Sequence, residues 1–168
     1  MIATSHVIIG GAVGVAVGLL TQNPLAALVA GIASHLICDA IPHLDVPPGS
    51  QGRNGELLWT PRLWTFALTD SGIAALIAMS FWVTRFHFPF FTPFVAGAIG
   101  GYLPDFVDNV PFWNKMVRSW PGFKQFHDFH DAIHAFWRRY YPMPQYSTLG
   151  VFTQLVLISI SLWFLLTH

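Results

Sequence analysis

The sequence predicts an all-α, polytopic membrane helical bundle: about five transmembrane helices in two weakly related helix pairs, plus an interfacial amphipathic helix. Three observations predict it. Of 168 residues, 54% are hydrophobic and only 10% charged, with a mean hydropathy of +0.52; soluble domains are roughly a quarter charged. Long apolar runs recur between short polar breaks. Asn23-Pro24, Thr60-Pro61 and Thr92-Pro93 each read as a cap residue followed by a first-turn proline. The chain reads as one integral membrane domain: a helix pair over 1–45, a loop over 46–60, a second pair over 61–108, an interfacial segment over 109–146 and a last span over 147–168.

Helix one is expected from about Thr4 to Leu20. It is rich in Gly, Ala and Val, which permits close helix packing in lipid. It lacks a basic flank, so it reads as a retained helix rather than a cleaved signal. Helix two starts at Pro24 and is expected to reach about Ile41, where Pro42 stops it. Val46 to Thr60 is Pro/Gly-rich and polar, hence a loop. Helix three follows Thr60-Pro61 and runs to about Thr84, and a short aromatic link then carries Arg85 and His87. Helix four opens at Thr92-Pro93 and is expected to be interrupted after Gly100-Gly101 by Pro104. From Asn109 to Tyr146 the composition is mixed and aromatic. There Phe126, Phe129, Ile133 and Tyr140 form an apolar helical stripe beside a polar one of His127, His130, His134 and Arg138. Such a helix lies at the interface or caps the bundle. Ser147 to Thr167 is apolar enough to span.

The pairs resemble each other. Val29-Ala30-Gly31 matches Val95-Ala96-Gly97, and at that offset Asp39 falls on Asp105. Near the starts of helices one and three, Ala3-Thr4-Ser5-His6 resembles Ala67-Leu68-Thr69-Asp70, with His6 opposite Asp70. This weak duplication predicts that His6, Asp39, Asp70 and Asp105 occupy equivalent places around a pseudo-twofold axis.

Five spans put Arg53, Arg62, Lys115, Arg118, Lys124, Arg138 and Arg139 on one side and Arg85 alone on the other. The positive-inside rule makes the first side, with the N-terminus, cytoplasmic and leaves the C-terminus outside the cell membrane. His6, His35, Asp39, His43, Asp45, Asp105, Asp108 and His127 to His134 fall on that same side, although the assignment used only Lys and Arg. His87 and His168 fall on the other.

Formal net charge is zero, so no global field recruits nucleic acid. Cys38 is the only cysteine, which excludes an internal disulfide and a thiolate metal cluster. What needs a reason is the run from Ser34 to Asp45, with two histidines and two carboxylates at the end of an apolar helix. His35 and Asp39 share a helix face. Ionised carboxylates in an apolar bundle are costly unless paired or coordinated. A divalent metal would neutralise Asp39, Asp70, Asp105 and Asp108, and imidazole plus carboxylate suits Zn²⁺, with Mn²⁺ or Fe as alternatives. Candidate metal ligands are His6, His35, Asp39, His43, Asp70, Asp105, Asp108, His130 and His134, enough for one or two ions. Candidate catalytic residues are Asp39, Asp105 and His130. Plainer readings stand beside these: an intrahelical His35–Asp39 pair, Asp105 and Asp108 as helix caps, the histidine stripe as an ordinary interfacial face, and Asp70 hydrogen-bonded to a Ser or Thr of helix one.

His35-x3-Asp39-x2-Pro42-His43 resembles the His-x3-Asp-x3-Pro-x-His segment of the zinc-dependent phospholipases C and P1-type nucleases. Gly100-Gly101-Tyr102-Leu103-Pro104-Asp105-Phe106-Val107-Asp108 resembles the Gly-x-x-x-Pro-Asp-x-Asp run of bacterial membrane-bound metal-dependent hydrolases, a family that the position of His6 also fits. In that family the Pro-Asp run follows the second helix; here it follows the fourth. The resemblance implies ligand roles for His6, His35, Asp39, Asp105 and Asp108. The expected function is a membrane-embedded metal-dependent hydrolase of a phosphoester or lipid-like substrate at the cytoplasmic face, with a metal-bound water as nucleophile. The partners are the bilayer and a lipid or amphiphilic phosphate. The alternative is a non-enzymatic metal-binding or transport protein, or an assembly subunit whose carboxylates pair with a partner.

Overall fold

The computed structural model describes residues 1–43, 45–47, 49–52, 57–85, 91–140 and 148–168. Arg53 and His87 lie outside the described residues, as do the side chains of Arg85, Arg138, Arg139 and Tyr140. The described residues form seven helices and no strand: α1 (Ala3–Thr21), α2 (Pro24–Asp39), α3 (Pro61–Arg85), α4 (Phe91–Asn109), α5 (Asn114–Arg118), α6 (Phe123–Tyr140) and α7 (Thr148–Thr167).

Two of the three start signals act through hydrogen bonds, whereas α4 begins at Phe91 and so takes Thr92 inside the helix rather than as its cap. Asn23 Oδ1 accepts from the amides of Leu25 (2.9 Å) and Ala26 (3.4 Å), which caps α2. Thr60 Oγ1 accepts from Leu63 N at 3.3 Å at the head of α3. α1 begins differently. Its first turn has no acid and Ile2 offers no side-chain cap. The acceptor comes instead from α3, where Asp70 takes the amides of Ala3 (2.6 Å) and Thr4 (3.2 Å) and the Thr4 hydroxyl (2.6 Å).

α1, α3 and α7 are long and apolar enough to cross a membrane, which is compatible with membrane localisation. α2 has 16 residues, about 24 Å of helix, short of the ~30 Å hydrocarbon core. α4 has 19 residues but carries Pro104, Asp105 and Asp108 in its last turns, and it is not among the three. By length and composition the expected five spans therefore stand at three among the described residues. Exposed apolar side chains such as Leu68, Leu76 and Val83 on α3, and Phe152, Trp163 and Leu166 on α7, form an outer surface suited to lipid.

α1 is the central element. It packs most extensively on α4, then on α2, with α3 and α7 against its remaining flanks. Glycines set these distances. A Cβ on Gly10 would stand 2.5 Å from the Gly97 carbonyl oxygen, one on Gly14 would meet Pro93 and Gly97, and one on Gly101 would meet the His6 carbonyl. Gly31 of α2 and Gly100 of α4 abut in the same way. Bare backbone thus brings α1, α2 and α4 into contact, as small residues do in lipid. Below this contact, Ile8, Ala12, Val15, Phe94 and Leu165 form an apolar core.

Two expectations change. The sequence predicts a break at Pro104, yet α4 continues through it to Asn109. The proline removes one amide and crowds the carbonyl four residues earlier. That position is a glycine, and the glycine contacts with α1 and α2 hold the helix axis in place. The two helix pairs are also not equivalent in packing: α1 packs extensively on α2, whereas α3 touches α4 only lightly.

Candidate metal centre

The N-terminal turns of α1, the C-terminal turns of α2 and α4, and the middle of α6 converge at one end of the bundle. α7 joins them. Its Gly150 lies against the backbone of His43, and the Thr153 hydroxyl donates to the Pro42 carbonyl. Asp39 sits at the centre with its side chain fully enclosed. Its Oδ2 lies 3.0 Å from His35 Nε2, 3.3 Å from His130 Nε2 and 3.3 Å from His134 Nε2. Its Oδ1 lies 2.6 Å from the Met1 amino group, 3.2 Å from His6 Nε2 and 3.8 Å from His43 Nε2. Asp105 closes the other side, with Oδ1 3.8 Å from His35 Nε2 and Oδ2 3.9 Å from His6 Nε2. Asn109 Nδ2 donates to Asp105 Oδ1 at 2.8 Å.

The far nitrogen of each ring determines what the near one can do. His35 Nδ1 lies 2.7 Å from the Gly101 carbonyl oxygen and His43 Nδ1 lies 2.6 Å from that of Ile41. A carbonyl only accepts, so both Nδ1 atoms carry a proton, and in the neutral rings both Nε2 atoms present lone pairs. His130 Nδ1 is held 3.2 Å from Asp108 Oδ2. Three imidazoles therefore have Nδ1 tied back and Nε2 turned toward the Asp39 carboxylate. Lone pairs facing a carboxylate at these distances repel unless a cation or a proton lies between them. Fixing Nδ1 by a carbonyl or carboxylate is also how metal-ligating histidines are oriented.

The spacing fits an ion. Bonds of ~2.1 Å place neighbouring donors of a tetrahedral metal ~3.4 Å apart. His35, Asp39, Asp105 and His130 form one group whose donor atoms all lie within 4.8 Å of one another, and Asp39, His43 and His134 form a second. Asp39 belongs to both. His6 adds an independent sign: it is 1% exposed, stacked on His35 with ring centres 3.8 Å apart, and neither ring nitrogen has a hydrogen-bond partner of proper geometry. A buried polar group left so costs ~1–3 kcal/mol. Burial works against the charged form of His130, yet its hydrogen bonds to Asp108 and Asp39 push it up to about 10, so without an ion the ring is a cation whose Nε2 proton stands where a metal would displace it. Burial pushes His43 down to about 3.

Among the candidate ligands, His6, His35, Asp39, His43, Asp105, His130 and His134 converge here. Asp70 and Asp108 stand elsewhere. The Asp70 carboxylate caps α1, the plainer of its two readings. Asp108 stands behind His130. Its Oδ1 takes Arg118 Nε at 2.9 Å, and its Oδ2 takes His127 Nδ1 at 2.9 Å as well as His130. The histidine stripe of α6 faces inward: His130 is 2% exposed while Phe129 is 54% exposed. Sequence reasoning missed the Gly101 carbonyl, which carries no side-chain signal, and Asn109, whose i, i+4 spacing from Asp105 was a readable sign. No protein-family model, curated protein or solved structure matches the chain.

Proposed function

We propose that this chain is a membrane-embedded, metal-dependent hydrolase of a phosphoester, with a lipid or amphiphilic phosphate as substrate. The observation that carries the reading is the set of imidazoles whose Nδ1 atoms are tied back and whose Nε2 atoms meet at Asp39. Asp39 with His35, Asp105 and His130 would hold one divalent ion, and Asp39 with His43 and His134 would hold a second; His6 Nε2 stands beside them, 3.2 Å from Asp39 Oδ1. Zinc suits these donors, with manganese or iron as alternatives. A divalent ion there lowers the pKa of a water and offsets charge developing on phosphoryl oxygens.

The protein's own groups divide the remaining work. Asp105 is the carboxylate that belongs to the cluster and also lines an adjoining cavity, so it is placed to take a proton from the attacking water. His130 is too enclosed to touch substrate and acts as a ligand held by Asp108. The cavity favours an enzyme over a closed metal store.

In the membrane, α2 and α4 complete the five spans beside α1, α3 and α7, the bilayer thinning locally around the short α2. The cluster end, which gathers Arg62, Lys115, Arg118 and Lys124, faces the cytoplasm and the C-terminus lies outside. α6 lies at the lipid–water boundary, with Phe129 and Phe136 on one outer flank and Lys124, Asp128 and Asp131 on the other.

The test is phosphate release from a micellar alkyl phosphate by the purified protein. Chelation is expected to abolish release, Zn²⁺ or Mn²⁺ to restore it, and Asp39→Ala to lack it under all conditions. Release that survives chelation, or that Asp39→Ala retains, would refute the proposal.

A further inference from the structure

Asp105 and His134 stand on the wall of a cavity of about 180 Å³ between α3 and α4. Its remaining walls include Leu63 and Phe66 of α3 and Phe106 of α4, with Asp45 and Asp70 on its acidic side, and among the described residues it has no Lys or Arg. Leu57, Trp59, Asn109 and Asp131 form a rim shared with a second cavity of about 590 Å³. That neighbour is walled by Lys115, Arg118 and His127, with Asp131 on the rim as its one carboxylate among the described residues. Arg118 is fixed there by two bonds to Asp108, one to Oδ1 at 2.9 Å and one to the backbone carbonyl at 2.7 Å. An apolar chamber, the candidate metal centre and a basic groove thus adjoin.

We propose that the two cavities together take one amphiphile: a single-chain lipid with a diphosphate head. The chain segment next to the head lies in the apolar chamber against Leu63, Phe66 and Phe106. The phosphate carrying the chain lies at Asp105 and His134. The outer phosphate lies in the groove at Lys115 and Arg118. The placement of the first phosphate rests on the hydrolase reading; the groove and the chamber do not. Size selects one chain: the chamber falls below the ~300–1,000 Å³ of pockets that enclose a drug-sized molecule, so it accepts a chain segment and not two acyl chains. Charge selects the head, because Lys115 and Arg118 suit phosphate oxygens, whereas the chamber wall carries Asp45, Asp70 and Asp105, and the amino group of Met1 beside them is already paired with Asp39 at 2.6 Å.

The test is equilibrium binding of two non-hydrolysed probes to the full chain in nanodiscs: dodecyl methylenebisphosphonate and dodecyl phosphonate. Metal content is measured on the same samples. The bisphosphonate is expected to bind about tenfold tighter, and Lys115→Ala to remove that preference, since one charge-assisted contact is worth about that factor. Ala67→Trp, which fills the chamber, is expected to weaken both probes at unchanged metal content; Ser71→Phe fills the same chamber from another position and keeps the test available if Ala67→Trp does not fold. Equal binding of the two probes, or a preference that Lys115→Ala leaves intact, would overturn the diphosphate assignment. Probe binding unchanged in a folded chamber-filling variant would overturn the chain site. A Lys115-dependent preference in protein that binds no metal would remove the hydrolase reading and leave this one standing.

Discussion

Replacing Asp108 with asparagine separates a residue that holds a metal from one that holds a ligand. Asp108 belongs to neither of the two donor groups. Its two oxygens are taken by Arg118, His127 and His130 at 2.9–3.2 Å. Asparagine keeps the volume and one acceptor oxygen, so α4 and α6 can still meet, but the negative charge that fixes Nδ1 of His130 is gone. Losing such an outer partner typically costs 10–100-fold in metal affinity, equivalent to about 1.4–2.8 kcal/mol. Asp39→Ala instead removes the group that faces His6, His35, His43, His130 and His134 together. Zinc affinity measured by competition with a chromophoric chelator should therefore rank wild type, then Asp108→Asn, then Asp39→Ala with binding abolished. An affinity equal to wild type would refute the positioning role. A loss as complete as that of Asp39→Ala would show that Asp108 is itself a ligand.

Three further variants address the scaffold. Asp70→Ala removes the cap of α1 and should lower thermal stability in detergent by about 1–2 kcal/mol while leaving metal content unchanged; lost metal would return Asp70 to the ligand set. Gly101→Ala puts a Cβ into the His6 carbonyl and should prevent α1 and α4 from docking, whereas Gly72→Ala meets nothing within 4 Å and should be neutral or stabilising by up to ~1 kcal/mol. Similar melting temperatures for these two glycine variants would contradict the close helix contact. A reporter fused after His168 is expected outside the cytoplasm; a cytoplasmic signal would overturn the five-span layout.

The parts of the fold that depend on local chemistry were legible in the sequence. Asn23-Pro24 and Thr60-Pro61 mark the starts of α2 and α3 because capping uses atoms within three residues of the boundary. The i, i+4 spacing of His35 and Asp39, and the return of Asp105 at the end of another apolar helix, pointed to one end of the bundle. What was not legible depends on neighbours far along the chain. The bond from Asp70 to a Ser or Thr of helix one is readable as its plainer role and is present at Thr4, but the Ala3 and Thr4 amides it also takes, 67 and 66 residues away, leave no sign in the sequence. Asp108 looked like a twin of Asp105, but a helix advances about 100° per residue, so three residues on it faces α5 and α6 instead. The inward turn of the α6 histidines reverses the usual rule for an amphipathic helix. The rule assumes an apolar core, and this core is polar at that end.

The central claim is that Asp39 and Asp105 hold a metal, and the most direct measurement is the metal content of the protein purified in detergent without added chelator, by elemental mass spectrometry. Wild type is expected to carry one or two equivalents of a divalent transition metal, and Asp39→Ala and Asp105→Ala are each expected to lose metal while keeping a helical circular dichroism spectrum. Wild-type protein that is folded, cannot be loaded by added Zn²⁺, Mn²⁺ or Fe²⁺, and carries no metal would contradict the claim.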